Sequence, residues 1–242
     1  LPPVIAGSTQ LKVYGKIREF NCGNNGKNLT AIDVSNNTLL TGLYCYDNSI
    51  TELNLTQNTA LEELNCGQNN LTSLDISKNS MLYSLSCFMN QITELNVSGN
   101  PKLSDLITVG NPLSSAALNG IYCDLPTLTG SGGTILAIES SSDANYAQVV
   151  ASAGHIATTK GWYITDGFRN IVRTKGTHTC GAAGGVLLSQ AEQSLNPGQS
   201  FALTATVQPY NAINKEVTWS SSDESIATVA NGVVTAHKGG IA

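Results

Sequence analysis

Charge is scarce in this chain: 12% of its 242 residues are Asp, Glu, Lys or Arg, and the balance is −5. With so few cations it offers little to neutralise phosphates, which argues against nucleic acid or an anionic membrane surface as a partner. No run of 18 or more apolar residues exists, so no segment is expected to span a bilayer as a helix. Histidine is limited to His155, His178 and His237, read here as lying in a helix, a linker and a terminal β-rich region. His178 with Cys180 could imitate a nucleophilic pair. Two residues apart and with no orienting third group, they make a poor catalytic pair, and no enzyme is expected. Asp33, Asp75, Glu52 and Glu94 recur on an outward wall as a solvated face would, with no sign of the cleft that paired-carboxylate hydrolysis needs. No cofactor is implied.

What the chain has in quantity is repetition. Leu29, Ile50, Leu71, Ile92 and Leu113 stand 21 residues apart, and each unit carries two copies of apolar-x-x-apolar-x-apolar-x-x-Asn. A fixed period of this length is the leucine-rich-repeat pattern and argues a solenoid whose turns bury their apolar residues by stacking. The stretches Leu43 to Cys45, Leu61 to Cys66, Leu82 to Cys87 and Leu103 to Thr108 should each place a short strand in a parallel sheet. Val34, Leu55, Ile76 and Val97 should line the opposite wall. Two Asn ladders mark the bends, Asn48/Asn69/Asn90/Asn111 and Asn37/Asn58/Asn79/Asn100, where an inward amide can satisfy backbone groups left open by the turn. Calcium is the sharper alternative, disfavoured because carboxylates are sparse there.

Cys22, Cys45, Cys66 and Cys87 occupy one inward slot and read as small buried hydrophobes. A row at strand spacing cannot surround zinc tetrahedrally, so no metal site is expected. Cys123 and Cys180 fall outside the row and can be free or paired. The Asn-x-Thr/Ser sequons, such as Asn54-Leu-Thr and Asn96-Val-Ser, follow automatically from the repeat and carry no information.

In chain order, residues 1–16 read as an N-terminal cap and 17–166 as the repeat domain. The opening Leu1-Pro2-Pro3, without Met, suggests a removed leader or trimming. After Asn111 the unit lengthens. Ser114 should cap a helix running to Tyr122, Thr134 to Ile138 is a strand, a second helix runs from Asp143 toward Thr158, and Trp162 to Thr165 is the last strand. Helices thus replace one wall in the last two repeats. Residues 167–185, rich in Gly and Thr, read as a linker. From 186 to 242 the pattern alternates: strands at Phe201–Val207, Val217–Ser220, Ile226–Val229 and Val233–Ala236. An Asn231-Gly232 hairpin and Trp219 as core anchor make an all-β sandwich.

Two resemblances follow from these residues. Leu61-x-x-Leu-x-Cys-x-x-Asn69 with Leu71-Thr-Ser-Leu-Asp-Ile-Ser-Lys-Asn79 resembles the leucine-rich repeats of surface proteins from Bacteroides-like gut bacteria. Leu113-Ser-Ser-Ala-Ala-Leu118 and Lys160-Gly-Trp162 look like the end of such arrays. Leu195-Asn-Pro-Gly198, Val217-Thr-Trp-Ser-Ser-Ser222 and Asn231-Gly-Val-Val-Thr-Ala236 are similar to the bacterial Ig-like group 2 domain. That family normally continues for a strand or two beyond Ala242, which implies an incomplete sandwich here. The resemblance implies export, to the medium or the cell surface, with the Ig-like domain as spacer or adhesion module.

One asymmetry points to a contact face. The Cys-bearing strands place Tyr44, Tyr46, Asn65, Gln68, Phe88, Met89, Ile107 and Val109 outward, while the other wall is uniformly polar. Aromatics gathered on one face supply contact area with few torsions to freeze. The expectation is an adhesion-type, non-enzymatic surface protein binding a host or bacterial protein or a surface glycan through this face. The alternative is a stalk without a specific ligand.

Overall fold

Why this chain folds as it does is clearest at one inward column. Leu43, Leu64, Leu85 and Leu106 each stand at the centre of a three-residue strand, with both strand neighbours pointing the other way, and each is fully buried. The structure, a computed structural model of the chain, describes residues 9–181, 185–208, 212 and 214–242. It divides into two units, residues 1–178 and 179–242.

In the first unit, β1 (Gln10–Lys12) pairs in parallel with β3 (Ala31–Asp33). Seven further strands form one parallel sheet in the order β2 (Glu19–Asn21), β4 (Gly42–Tyr44), β5 (Glu63–Asn65), β6 (Ser84–Ser86), β7 (Asp105–Ile107), β8 (Gly133–Leu136) and β9 (Trp162–Thr165). Gly42, Glu63, Ser84 and Asp105 lie side by side, and Leu43 aligns with Leu64, Leu85 and Leu106. The same register stacks Cys45, Cys66 and Cys87, and each thiol is buried. Desolvation accordingly pushes their titration upward, with Cys87 at about 12.

Three residues after each of β2, β4, β5, β6 and β7 the chain turns through a left-handed residue. Asn24, Asp47, Gln68 and Met89 have φ of 53°, 53°, 53° and 49°, and Gly110 takes the place one turn later at 73°. Four of these five are not glycine, so the conformation is held by what surrounds it. The first Asn ladder does much of that. The Asn69 amide donates to the carbonyls of Cys45, Cys66 and Gly67, while its Oδ1 accepts from the Ile50 amide at 2.9 Å. Asn90 repeats the pattern one turn on, with Leu71 as donor. The second ladder is less complete. Asn79 Nδ2 donates to Leu55 and Asn58 carbonyls, but the Oδ1 atoms of Asn37, Asn58, Asn79 and Asn100 are buried without a partner. The polar wall has a local explanation too: Asp33, Asn54, Asp75 and Asn96 each accept from the amide two residues on.

From β7 to β8 the offset grows to 29 residues, making room for a helix. α1 (Ser115–Asp124) is capped by Ser114, whose hydroxyl accepts from the Ala117 amide at 3.0 Å. The single second helix expected from Asp143 toward Thr158 is instead two, α2 (Tyr146–Ala151) and α3 (His155–Thr159). Ser152 is extended, and the Ala153 amide is drawn to Asn119 Oδ1 at 2.7 Å, which takes it out of a helical ladder. Nor does the chain run free after β9. Ile171 bridges Thr165 antiparallel, Val172 and Lys175 donate to Ile164 and Val150 carbonyls, and the Gly154 amide donates to the Thr174 hydroxyl. Residues 171–176, read from sequence as part of a linker, are thereby tied to the first unit.

The second unit holds β10 (Gly185–Leu188) antiparallel to β12 (Ala205–Gln208), and a three-stranded sheet in the order β11 (Ser200–Ala202), β14 (Val233–Ala236), β13 (Ala227–Ala230). Phe201–Val207, expected as one strand, is two. At Leu203 and Thr204 the chain leaves β14 for β10, Leu203 donating to the Gly232 carbonyl and Thr204 to Ser189 Oγ. Val217–Ser220 forms no strand among the described residues, the amide before it being turned onto Asn214 Oδ1. Asn231 and Gly232, at φ 49° and 81°, make the expected hairpin turn between β13 and β14. Trp219 is only half-buried, so it anchors less than a sandwich core would require. Val186, Leu187 and Leu188 are each half exposed.

Candidate functional site

The outward face of the seven-stranded sheet presents two rows. One runs Glu19, Gly42, Glu63, Ser84, Asp105, Thr134, Tyr163; the other runs Asn21, Tyr44, Asn65, Ser86, Ile107, Leu136, Thr165. Three of the residues singled out from sequence, Tyr44, Asn65 and Ile107, belong to the second row and are half-buried. Tyr46 and Phe88 follow two residues beyond their strands. Neither is freely exposed. A Cβ on Gly23 would lie 2.4 Å from the Tyr46 ring, and one on Gly67 would lie 2.1 Å from the Phe88 ring. Each aromatic therefore leans over a glycine of the preceding turn, which is why Gly rather than a larger residue recurs there. Gln68 and Met89 occupy the left-handed corner, and Met89, half exposed, lies against Gly110.

Val109 is a correction. It was expected outward with the others but is buried. Continuing the register of β6, β7 and β8 by two residues sets it between Phe88 and the buried Ile138, so apolar neighbours on both sides cover it.

Sequence reasoning also missed what holds Tyr44. Its phenol donates to Glu63 Oε2 at 2.8 Å, and the Tyr83 phenol donates to Glu63 Oε1. A phenolate beside that carboxylate would lose its hydrogen bond and meet like charge, so Tyr44 titrates up at about 12 and Tyr83 is raised too. The same two bonds, Tyr83 first, hold the Glu63 carboxyl below its ordinary range. Nothing in a 21-residue spacing points to a pairing across turns between residue types that do not repeat.

A second feature lies toward the end of the sheet. Asp105, Thr134 and Tyr163 from one row and Ile107, Leu136 and Thr165 from the other form the floor of a groove of about 530 Å³. The segment Asp166–Ile171, folding back after β9, is its wall. That wall is stiffened by Asp166, whose Oδ1 accepts from the Phe168 and Asn170 amides at 2.9 and 2.8 Å, and Asn170 Nδ2 donates to Oδ2. Those contacts, the Asn170 side chain foremost, lower the Asp166 carboxyl titration. Arg169 lines the groove from a left-handed backbone at φ 62°. On the floor, Asp105 accepts from the Thr134 hydroxyl at 2.9 Å and the Ser84 hydroxyl at 3.1 Å. Strand alternation between buried Trp162 and Ile164 would have marked Tyr163 as outward; the wall could not be anticipated.

Among the described residues no group of three or more His, Cys, Asp and Glu is disposed to hold a metal ion, and no helix is long and apolar enough to cross a membrane. Cys123 and Cys180 are each disulfide-bonded.

The following matches to known proteins each cover part of the chain. Residues 182–242 match the bacterial Ig-like domain (group 2). An alpha-L-arabinofuranosidase of Bifidobacterium longum subsp. longum is 61% identical over 44 residues, 18% of this chain and 4% of that protein. A kappa-carrageenase of Pseudoalteromonas carrageenovora is 48% identical over 62 residues, 25% of this chain and 16% of that protein. The minor capsid protein of Enterobacteria phage T3 is 39% identical over 111 residues, 44% of this chain and 24% of that protein. The chain thus spans under a quarter of the length of these relatives. Among solved structures, the functional domain of InlJ from Listeria monocytogenes, described as including a cysteine ladder, aligns at TM-score 0.49. The alignment is 28% identical and covers 68% of this chain and 34% of that one.

Proposed function

We propose that the first unit is a leucine-rich-repeat solenoid of an exported bacterial surface protein, and that it binds a protein or glycan through the outward face of its sheet, with no catalysis. An Ig-like module at residues 182–242 fits an adhesion or structural role. The disulfide-bonded state of Cys123 and Cys180 supports an oxidising compartment, the periplasm or the cell exterior. The observation that carries the binding reading is the seating of Tyr46 and Phe88 over Gly23 and Gly67. Rings held by the neighbouring turn offer apolar area whose ordering cost is met on folding and not on association.

The second reading, a stalk without a specific ligand, is favoured by a different observation: the Tyr44 and Tyr83 phenols are already engaged by Glu63 and so have less to offer a partner. An array of host proteins and surface glycans probed with the full chain separates the two. The adhesion reading expects reproducible capture that is lost when Tyr44, Tyr46 and Phe88 are replaced together by Ser, with melting behaviour preserved. Silence of the unaltered chain across the array would favour the stalk, and capture indifferent to the triple substitution would refute contact through these three side chains.

A further inference from the structure

The groove beneath Asp166–Ile171 has a composition that selects among ligands. We infer that it is a saccharide subsite that takes neutral pyranose units; this rests on the reading of the sheet face as a binding surface and names the ligand class. Its volume of about 530 Å³ falls inside the range of small-ligand sites. Three features bear on the occupant.

Tyr163 is half exposed, and its ring is steadied from behind: a Cβ on Gly132 would lie 3.0 Å from it. A ring held in that way suits the C–H face of a pyranose, which needs flat apolar area beside polar groups. Hydroxyls of a sugar both donate and accept, and the groove offers both. Asp105 has one hydroxyl donor on each carboxylate oxygen and a lone pair left over on each. Arg169 makes no ion pair with a carboxylate among the described residues, so its planar fork of donors is available for vicinal hydroxyls. The charge balance of the lining, Asp105 and Asp166 against Arg169, is −1. That disfavours phosphorylated, sulfated or sialylated ligands.

A peptide is the other occupant that such a sheet face suggests, usually by adding a strand at an open edge. Here the edge of β9 is taken: Ile171 bridges Thr165 and Val172 donates to the Ile164 carbonyl. Nor is the wall free to yield, since Asp166 accepts three hydrogen bonds within the turn. A site fixed before binding suits a small rigid ligand whose own affinity per contact is low.

The test is saturation-transfer NMR on the full chain with neutral gluco-, galacto- and manno-trisaccharides. Sulfated and sialylated oligosaccharides form one control arm and a Lys-rich peptide another. Saturation should pass to the pyranose C–H protons of at least one neutral trisaccharide. Affinity should fall about tenfold or more in Tyr163→Ala and in Arg169→Gly, as loss of a hydrogen-bonding or stacking group at a fitted site does. Gly suits the left-handed φ at 169, so that variant keeps the fold, and unchanged melting of both variants guards the comparison. Absence of transfer to every neutral sugar at millimolar concentration would overturn the inference. Preference for the anionic or basic probe, or binding that survives both substitutions, would do so too. Tyr146→Ser, at an exposed position of α2 outside the groove lining, should leave trisaccharide binding intact. Capture on the array without trisaccharide binding would sink this inference alone, whereas trisaccharide binding without array capture would leave it standing.

Discussion

Replacing Asn90 by Ala and, separately, Asn79 by Ala tests whether the two Asn ladders differ energetically as their hydrogen bonds differ. Both side chains are buried, and both truncations leave a similar void, so the cavity contributions largely cancel. At Asn90 the loss is specific. The Cys66 carbonyl keeps Asn69 as donor, Cys87 keeps Asn111, and Phe88 keeps the Gln68 amide. The Leu71 amide, however, donates to Asn90 Oδ1 at 2.9 Å and would be left buried with nothing to bond. At Asn79 no such orphan arises: the Leu55 carbonyl still accepts from the Asn58 amide, and the Asn58 carbonyl from Leu61. That truncation even removes a buried oxygen that has no partner. An unsatisfied buried amide costs about 1–3 kcal/mol, so Asn90→Ala should exceed Asn79→Ala by about 2 kcal/mol. Urea unfolding in a Trp219→Phe background reads the first unit alone, through buried Trp162. Equal losses, or a larger one for Asn79→Ala, would refute the account of why the Asn recurs.

Two further outcomes follow from the sheet face. Gly67→Ala would drive a Cβ to within 2.1 Å of the Phe88 ring and should cost about 1–3 kcal/mol by overpacking; adding Phe88→Ala should recover much of it in a double-mutant cycle, and additive losses would show that the ring does not lean there. Glu63→Gln should lower the Tyr44 titration from about 12 toward the ordinary value near 10, because the neutral phenol no longer donates to a carboxylate and the phenolate no longer faces one; an unchanged absorbance titration would deny that Glu63 is the cause.

How much of this was legible in the chain depended on whether a property repeats. The inward column through Leu43, Leu64, Leu85 and Leu106, the stacked Cys45, Cys66 and Cys87, and the Ser114 cap could be anticipated from spacing and side-chain chemistry. In the first unit the exceptions fell where the period ends. Ser152 to Gly154 broke a helix because Asn119, 34 residues earlier, captured the Ala153 amide. Val109 went inside because the longer turn after it brought Ile138 alongside.

Within the regular 21-residue turns the sequence by itself determined which side chains of the Leu and Cys columns turn inward, since burial in stacked turns repeats with the spacing of apolar residues along the chain. Tertiary structure alone decided what the outward side chains meet. Tyr46 against Gly23, Tyr44 and Tyr83 on Glu63, and the groove from Asp105 to Ile171 each join residues of different turns. Their meeting depends on the register between strands and on where the chain doubles back after β9. Neither is encoded in the spacing within one turn.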